Sequence, residues 1–186
     1  YALCILDSGA GHEDLTGEYN AITDELRAVC RVFGKEVLRE VPEEAFLAKL
    51  PHVRKAAGDR AVNRAFHVYG ENRRVREEVQ ALRSGDFQRF LTLVWESGRS
   101  SAMYLQNIIP TGSTAAQELM VTIALCERML EGRGAVRVHG GGFGGTAQAF
   151  VPLDMLDGFR DRVEASLGRG CCHVVRIRPA GGIRLG

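Results

Sequence analysis

Ala135-Val136-Arg137-Val138-His139-Gly140-Gly141-Gly142-Phe143-Gly144-Gly145-Thr146-Ala147-Gln148-Ala149-Phe150-Val151 sets five glycines in six positions between two segments rich in small and β-branched apolar residues. The flanks read as strands over 135–138 and 147–151. The glycines between them leave backbone bare of side chains. Bare backbone reaches positive φ without steric cost, and successive N–H groups make a concavity that accepts an anion. The same composition also makes a glycine-rich hairpin turn, and from the glycines alone both readings stand. The run matches neither common phosphate fingerprint: it opens no helix as G-x-G-x-x-G does, and no Lys-Ser/Thr pair closes it.

Downstream, Asp154 reads as the cap of a helix that turns Met155, Phe159, Val163 and Leu167 inward, and 173–178 reads as a closing strand. Upstream, Leu119, Ile123, Cys126 and Leu130 recur at helical spacing until Gly132 and Gly134 stop them. The chain opens on an apolar strand, Ala2-Leu3-Cys4-Ile5-Leu6, followed by a turn at Asp7-Ser8-Gly9-Ala10-Gly11. A helical pattern then runs from Glu18 to about Phe33, and a short helix spans 43–50 with Pro42 suited to its first turn. From 59 to 82, Ala65, Val68, Val75, Val79 and Leu82 form one stripe opposite a basic face of Arg73, Arg74 and Arg76. Asp86 is placed to cap the next helix, whose apolar face is Phe87, Phe90, Leu91 and Val94. The stretch from Gly98 to Ser113 reads as irregular.

Strand, helices, strand, strand, helix, strand is the order of an α+β, ferredoxin-like split βαβ domain, here with a large helical insertion after the first strand. That architecture alone permits many functions. At 186 residues, with 45% hydrophobic and 25% charged content, the chain has enough apolar sequence for a core. A net charge of +1 gives no electrostatic reason for a nucleic-acid partner, and no apolar run has the length of a membrane span. A soluble, cytoplasmic protein is the expectation. Cys4, Cys30, Cys126, Cys171 and Cys172 are odd in number and scattered, which suits reduced core thiols better than disulfides. Adjacent strand residues face opposite ways, so Cys171 and Cys172 are badly placed to share a metal ion, and no metal site is expected. Tyr1 leads straight into a buried-looking strand, which reads as a piece of a longer chain.

Three stretches, in order, resemble the C-terminal half of the galactokinases, small-molecule kinases related to the homoserine and mevalonate kinases. His12-Glu13-Asp14-Leu15-Thr16-Gly17-Glu18-Tyr19-Asn20 is similar to a His…Glu-Tyr-Asn segment of that family. Arg64-Ala65-Phe66-His67-Val68-Tyr69-Gly70-Glu71-Asn72-Arg73-Arg74-Val75, with Glu96-Ser97-Gly98-Arg99-Ser100 behind it, is similar to two of its helical signatures. Val136 to Gly145 is similar to its third glycine-rich motif. The chain departs from the pattern at Gly98, where many members have Ser-His over this pair. It departs again at Ile109-Pro110-Thr111 and Gln117-Glu118-Leu119, where they have Cys-Pro-Glu-Leu-Asp, and at His139, where a Thr is usual.

The resemblance implies a single C-terminal kinase domain over 1–186. Residues 1–17 would be a strand and loop joining an N-terminal domain, 18–131 mainly helical, and 132–186 the glycine loop with its closing strand-strand-helix-strand order. It implies transfer of the γ-phosphoryl group of ATP, with Mg2+, to the anomeric hydroxyl of galactose. The principal nucleotide loop and the Asp base would lie in the N-terminal domain, leaving no catalytic residue in this chain and an inactive fragment. Tyr19 would contact the sugar, though its other reading is a first-turn aromatic of a helix. Gly140, Gly141, Gly142, Phe143, Gly144 and Gly145 would line the junction of sugar and phosphate, with Phe143 a core plug that fixes the loop. His139 and His12 are further candidates at the site, and His67 reads as a satisfied structural histidine. Kinases for another sugar, and a non-catalytic sensor of sugar and ATP, share these features. A free-standing nucleic-acid module would need a sheet rich in exposed aromatic residues, which the sequence lacks.

Overall fold

The computed structural model describes residues 1–11 and 15–182. Its sheet, among the described residues, has four strands: β1 (Ala2–Asp7), β2 (Ala135–Val138), β3 (Thr146–Val151) and β4 (Cys172–Val175). They lie in the order β2-β3-β1-β4, and every neighbouring pair is antiparallel. This is the split βαβ arrangement, and the domain is α+β as the element order implies. The glycine stretch is topologically a hairpin, since β2 and β3 pair directly with Val138 opposite Ala147.

Side-chain alternation decides which face is covered. Cys4 and Leu6 of β1, with Ala147, Ala149 and Val151 of β3, turn to one face, where α6 (Glu118–Leu130) and α7 (Leu156–Leu167) close over them. Leu119, Cys126, Leu130, Phe159 and Val163 complete that core. On the opposite face α5 (Phe87–Ser100) lays Phe87, Phe90, Leu91 and Val94 against Ala135 and Phe150. The Asp86 carboxylate accepts from the backbone N–H of Arg89 at 2.9 Å and caps that helix as the sequence implies.

The insertion between β1 and α6 builds a second core from α1 (Thr16–Arg31), α2 (Glu43–Ala48), α3 (Leu50–Ala57) and α4 (Asp59–Ser84). Val29, Cys30, Phe46, Val53, Ala61, Val62, Ala65 and Tyr69 pack within it. All five cysteines are buried and free. Cys171 and Cys172 both join the sheet core rather than parting to opposite faces, because β4 begins only at Cys172.

Several expectations are corrected. Residues 43–50 are not one helix: the chain breaks at Lys49, Pro42 precedes the first helix, and Pro51 sits in the first turn of the second. The apolar stripe of α4 is buried only in its first half. Val75, Val79 and Leu82 are exposed, while Arg64 is fully buried, because Glu25 of α1 and the Leu105 carbonyl of the turn after α5 meet it, contacts the periodicity cannot reveal. Arg73 and Arg76 are exposed, but Arg74 folds back on Glu71. The stretch from Gly98 to Ser113 is irregular only from Gln106 onward: α5 continues to Ser100 and passes into a π-helical turn, Ser101–Leu105. Asp154 caps nothing. A 3-10 turn, Leu153–Met155, precedes α7, and the Asp154 carboxylate pairs with Arg133 instead. The closing strand is shorter than 173–178, since pairing with β1 ends at Val175.

Candidate functional site

The glycine loop leaves β2 at His139 and re-enters β3 at Thr146, where the His139 N–H donates to the Thr146 carbonyl at 2.9 Å. Between these anchors the backbone passes through positive φ at Gly140, Gly142, Phe143 and Gly145. Phe143 is a strained position for a side-chain-bearing residue, and its ring is buried, as a plug would be. Neighbouring elements hold that strain. The ring meets Tyr19 edge-on at 5.5 Å, and the Phe143 N–H donates to the carbonyl of Asn107 at 2.5 Å.

Tyr19 projects from the first turn of α1, partly exposed. Its hydroxyl donates to the Gly142 carbonyl at 2.9 Å, and a Cβ on Gly141 would lie 2.7 Å from its ring. The aromatic is therefore more than a helix-start residue: it braces the loop, and the hydroxyl oxygen keeps lone pairs to accept from a ligand. Asn107 braces the loop from the other side, donating from Nδ2 to the Gly141 carbonyl at 3.0 Å.

The turn that carries Asn107 is itself pinned at both ends. At its start Arg64 of α4 donates from Nε to the Leu105 carbonyl at 3.1 Å, and Nη1 lies 2.8 Å from Glu25 Oε2 of α1. At its end the Thr111 N–H and hydroxyl both donate to the Glu18 carboxylate, at 2.7 and 3.1 Å. Arg60 ties the two ends together, donating to Glu25 at 2.8 and 2.5 Å and to the Thr111 hydroxyl at 3.1 Å. Burial lowers the pKa of the Arg64 guanidinium against the pull of Glu25, and the group stays charged. Glu18 and Tyr19 are consecutive, so one turn of α1 fixes both the Asn107 turn and the glycine loop.

His139 is exposed, with Nδ1 2.9 Å from Gln148 Oε1 on the facing strand. It stands at the strand end as a hydrogen-bonded residue, with Nε2 unengaged among the described residues. His12 lies outside the described residues. His67 is buried in α4 with Nδ1 2.9 Å from the Ser100 hydroxyl, the satisfied structural role expected of it. Arg99 stacks over the Trp95 ring at 4.9 Å, away from the loop's contacts. Behind β2, Ser97 donates to Glu71 at 2.7 Å and accepts from Arg137 at 2.6 Å, joining α4, α5 and the strand that feeds the loop. A Cβ on Gly98 would lie 2.9 Å from that of Arg137, so helix and strand touch at backbone distance there.

The sequence reading missed Asn107, Arg64, Glu25 and Thr111. A polar Asn before Ile108-Ile109 is a faint signal, and none of the four marks itself by spacing. Among the described residues no three His, Cys, Asp or Glu side chains are grouped to hold a metal ion, and no helix is long and apolar enough to cross a membrane.

No protein-family model matches the chain. A galactokinase of Glaesserella parasuis is 32% identical over 160 residues, which is 86% of this chain and 40% of that protein. The chain is homologous to the galactokinases. A second galactokinase, from Mannheimia succiniciproducens, is 31% identical over 159 residues. Against either galactokinase the chain spans about two fifths of the relative's length. The fold of Lactococcus lactis galactokinase, solved in complex with galactose, superposes on 95% of this chain and 45% of its own, with a TM-score of 0.74 at 24% identity. The likeness of fold extends over nearly the whole chain.

Proposed function

We propose that this chain is the C-terminal domain of a galactokinase-like enzyme, forming one wall of a site where the γ-phosphoryl group of ATP passes to the anomeric hydroxyl of galactose. The observation that carries the reading is the polarity of the glycine loop. The carbonyls of Gly141 and Gly142 are occupied by Asn107 and Tyr19. Among the described residues the amides of Gly140, Gly141, Gly142, Gly144 and Gly145 have no partner. A loop with these two carbonyls tied back and its donors unspent suits an anion, and three of the five glycines, Gly142, Gly144 and Gly145, are buried, where N–H groups are rarely left unpaired. Phosphoryl transfer asks a protein for such donors where charge gathers on the transferred oxygens.

Magnesium-bound ATP supplies the phosphoryl group when it is present. The loop residues fit the phosphate end of that ligand, and among the described residues no acidic cluster is grouped for the metal, so Mg2+ and the nucleotide would be held mainly by an N-terminal domain. The Tyr19 hydroxyl, donating to Gly142, accepts from a sugar hydroxyl. The loop amides hold the phosphate oxygens as the bond to the anomeric oxygen forms and the bond to the ADP oxygen breaks. The hydroxyl proton leaves to an Asp outside this chain. His139, beside the first glycine, borders the same junction. The opening strand β1 leads from the N-terminal domain into this one, and the enzyme works in the cytoplasm.

The test is ATP-dependent phosphorylation of galactose by the complete protein and by residues 1–186 alone. Turnover by the complete protein with none by the chain alone is expected. Turnover by the chain alone would overturn the division of labour. Binding of sugar and ATP by the complete protein without turnover would replace the kinase with a sensor, and turnover on a different sugar would replace galactose.

A further inference from the structure

Asn107 is 2% exposed and makes two bonds to the glycine loop from opposite ends of the residue. Its backbone carbonyl accepts from Phe143 N–H, and its side-chain Nδ2 donates to the Gly141 carbonyl. A trans peptide points its C=O and N–H to opposite sides. With the Gly141 carbonyl turned to Asn107, the Gly142 N–H faces away from Asn107. With the Gly142 carbonyl turned to Tyr19, the Phe143 N–H faces Asn107. The two peptide planes at the loop's centre are thus set by one residue on one side and one on the other. Gln106, just before Asn107, takes a left-handed conformation at φ 58°, and the preceding turn is π-helical with its last carbonyl held by buried Arg64. Such backbone persists only where its surroundings over-determine it.

We infer that Asn107 is a positioning residue that orients the glycine-loop amides toward a bound phosphate group. The inference rests on the phosphate reading of the loop given above and adds the residue that sets its direction. A primary amide is the side chain that suits the place: it donates to the Gly141 carbonyl without bringing charge beside the anion. Alanine leaves the Phe143 N–H contact with the backbone intact and removes only the donor, freeing the peptide between Gly141 and Gly142 to rotate. The Asn107 Oδ1 atom is buried and has no partner among the described residues, so the Nδ2 contact is the one hydrogen bond its side chain makes there.

The experiment is an amide chemical-shift titration of the 186-residue chain with inorganic phosphate, run on the unaltered chain, Asn107→Ala and Asn107→Gln, with thermal melts alongside. In the unaltered chain the Gly140–Gly145 amides shift on adding phosphate. In Asn107→Ala the apparent phosphate affinity falls roughly fivefold or more, the effect of one lost hydrogen bond, while the fold is kept. Asn107→Gln, which retains a primary amide, recovers part of the loss. Loop amides in the unaltered chain that ignore phosphate, or an Asn107→Ala affinity within about twofold of it, would overturn the inference. Absence of galactose turnover by the complete protein would sink the kinase reading and leave this titration standing.

Discussion

Gly142 and Asn107 meet so closely that a Cβ on the glycine would lie 2.6 Å from the Asn107 side-chain nitrogen and overlap its carbonyl oxygen. Gly142 also holds φ at +86°. Gly142→Ala is therefore expected to push the loop off its brace and lower kcat/KM for sugar phosphorylation by the complete protein roughly a hundredfold, as ångström-scale misplacement does. Gly140 is the control. It too has positive φ, but a Cβ there meets nothing within 4 Å, so Gly140→Ala costs only about 1 kcal/mol of backbone strain. Equal kinetics for the two variants would show that the Asn107 contact is irrelevant to the loop's work.

Tyr19→Phe deletes a hydroxyl that both bonds the Gly142 carbonyl and, in the proposed site, receives a sugar hydroxyl. The expected result is a rise of about fivefold to tenfold in KM for galactose with KM for ATP little changed, and a stability loss of about 1 kcal/mol. Steady-state kinetics with each substrate varied in turn checks this, and a rise confined to ATP would remove Tyr19 from the sugar side.

Arg64→Met takes one charge out of a fully buried site and leaves the Leu105 carbonyl and Glu25 without it, although Arg60 still pairs with Glu25. Breaking a buried pair from one side costs about 3 kcal/mol or more. Urea unfolding of the chain measures it. A loss under about 1 kcal/mol would mean that Arg60 and water take over the role.

The His67 imidazole has its pKa lowered by burial, an effect joined by Arg74 and Arg137 and opposed by Glu71. The unfolded chain then binds a proton more readily than the folded one below the ordinary value of 6.5. Stability is complete above that value and declines as pH falls beneath it. Glu71 follows at more acid pH: burial works to raise its pKa, but hydrogen bonds from Ser97 and Arg74 outweigh it and hold the carboxyl below 4.5. Denaturant midpoints measured between about pH 7.5 and pH 5 should fall for the unaltered chain and flatten for His67→Gln. An unaltered chain with no slope in that window would place the unfolded and folded histidines at the same pKa.

The strands, the sheet order and the glycine loop were legible because they rest on local chemistry: an unbroken apolar run from Ala2 to Leu6, β-branched residues in β2, and glycine at positions that need positive φ. The Asp86 cap and buried His67 were legible for the same reason. What stayed hidden depends on contacts between distant segments. Arg64 sits among arginines in sequence and is buried only because α1 brings Glu25 to it. Asn107 gives no periodic signal, and its part in the site exists only when the turn after α5 reaches the loop. The exposed ends Val75, Val79 and Leu82 carry a helical stripe that nothing in this fold covers among the described residues. Spacing states which residues share a face, and only tertiary packing states whether that face is used.

The bond from Tyr19 to Gly142 spans 123 residues of chain. Contacts of such long range carry a loop-closure cost that must be met before they contribute, so the hairpin between β2 and β3 forms from local pairing well before its central peptides are oriented. The loop's final shape is then expected among the last features to be completed, after α1 and α4 have docked. Slow or incomplete docking of the helical insertion would yield a chain with an intact sheet and a misdirected loop, making the glycine amides a sensitive indicator of full maturation.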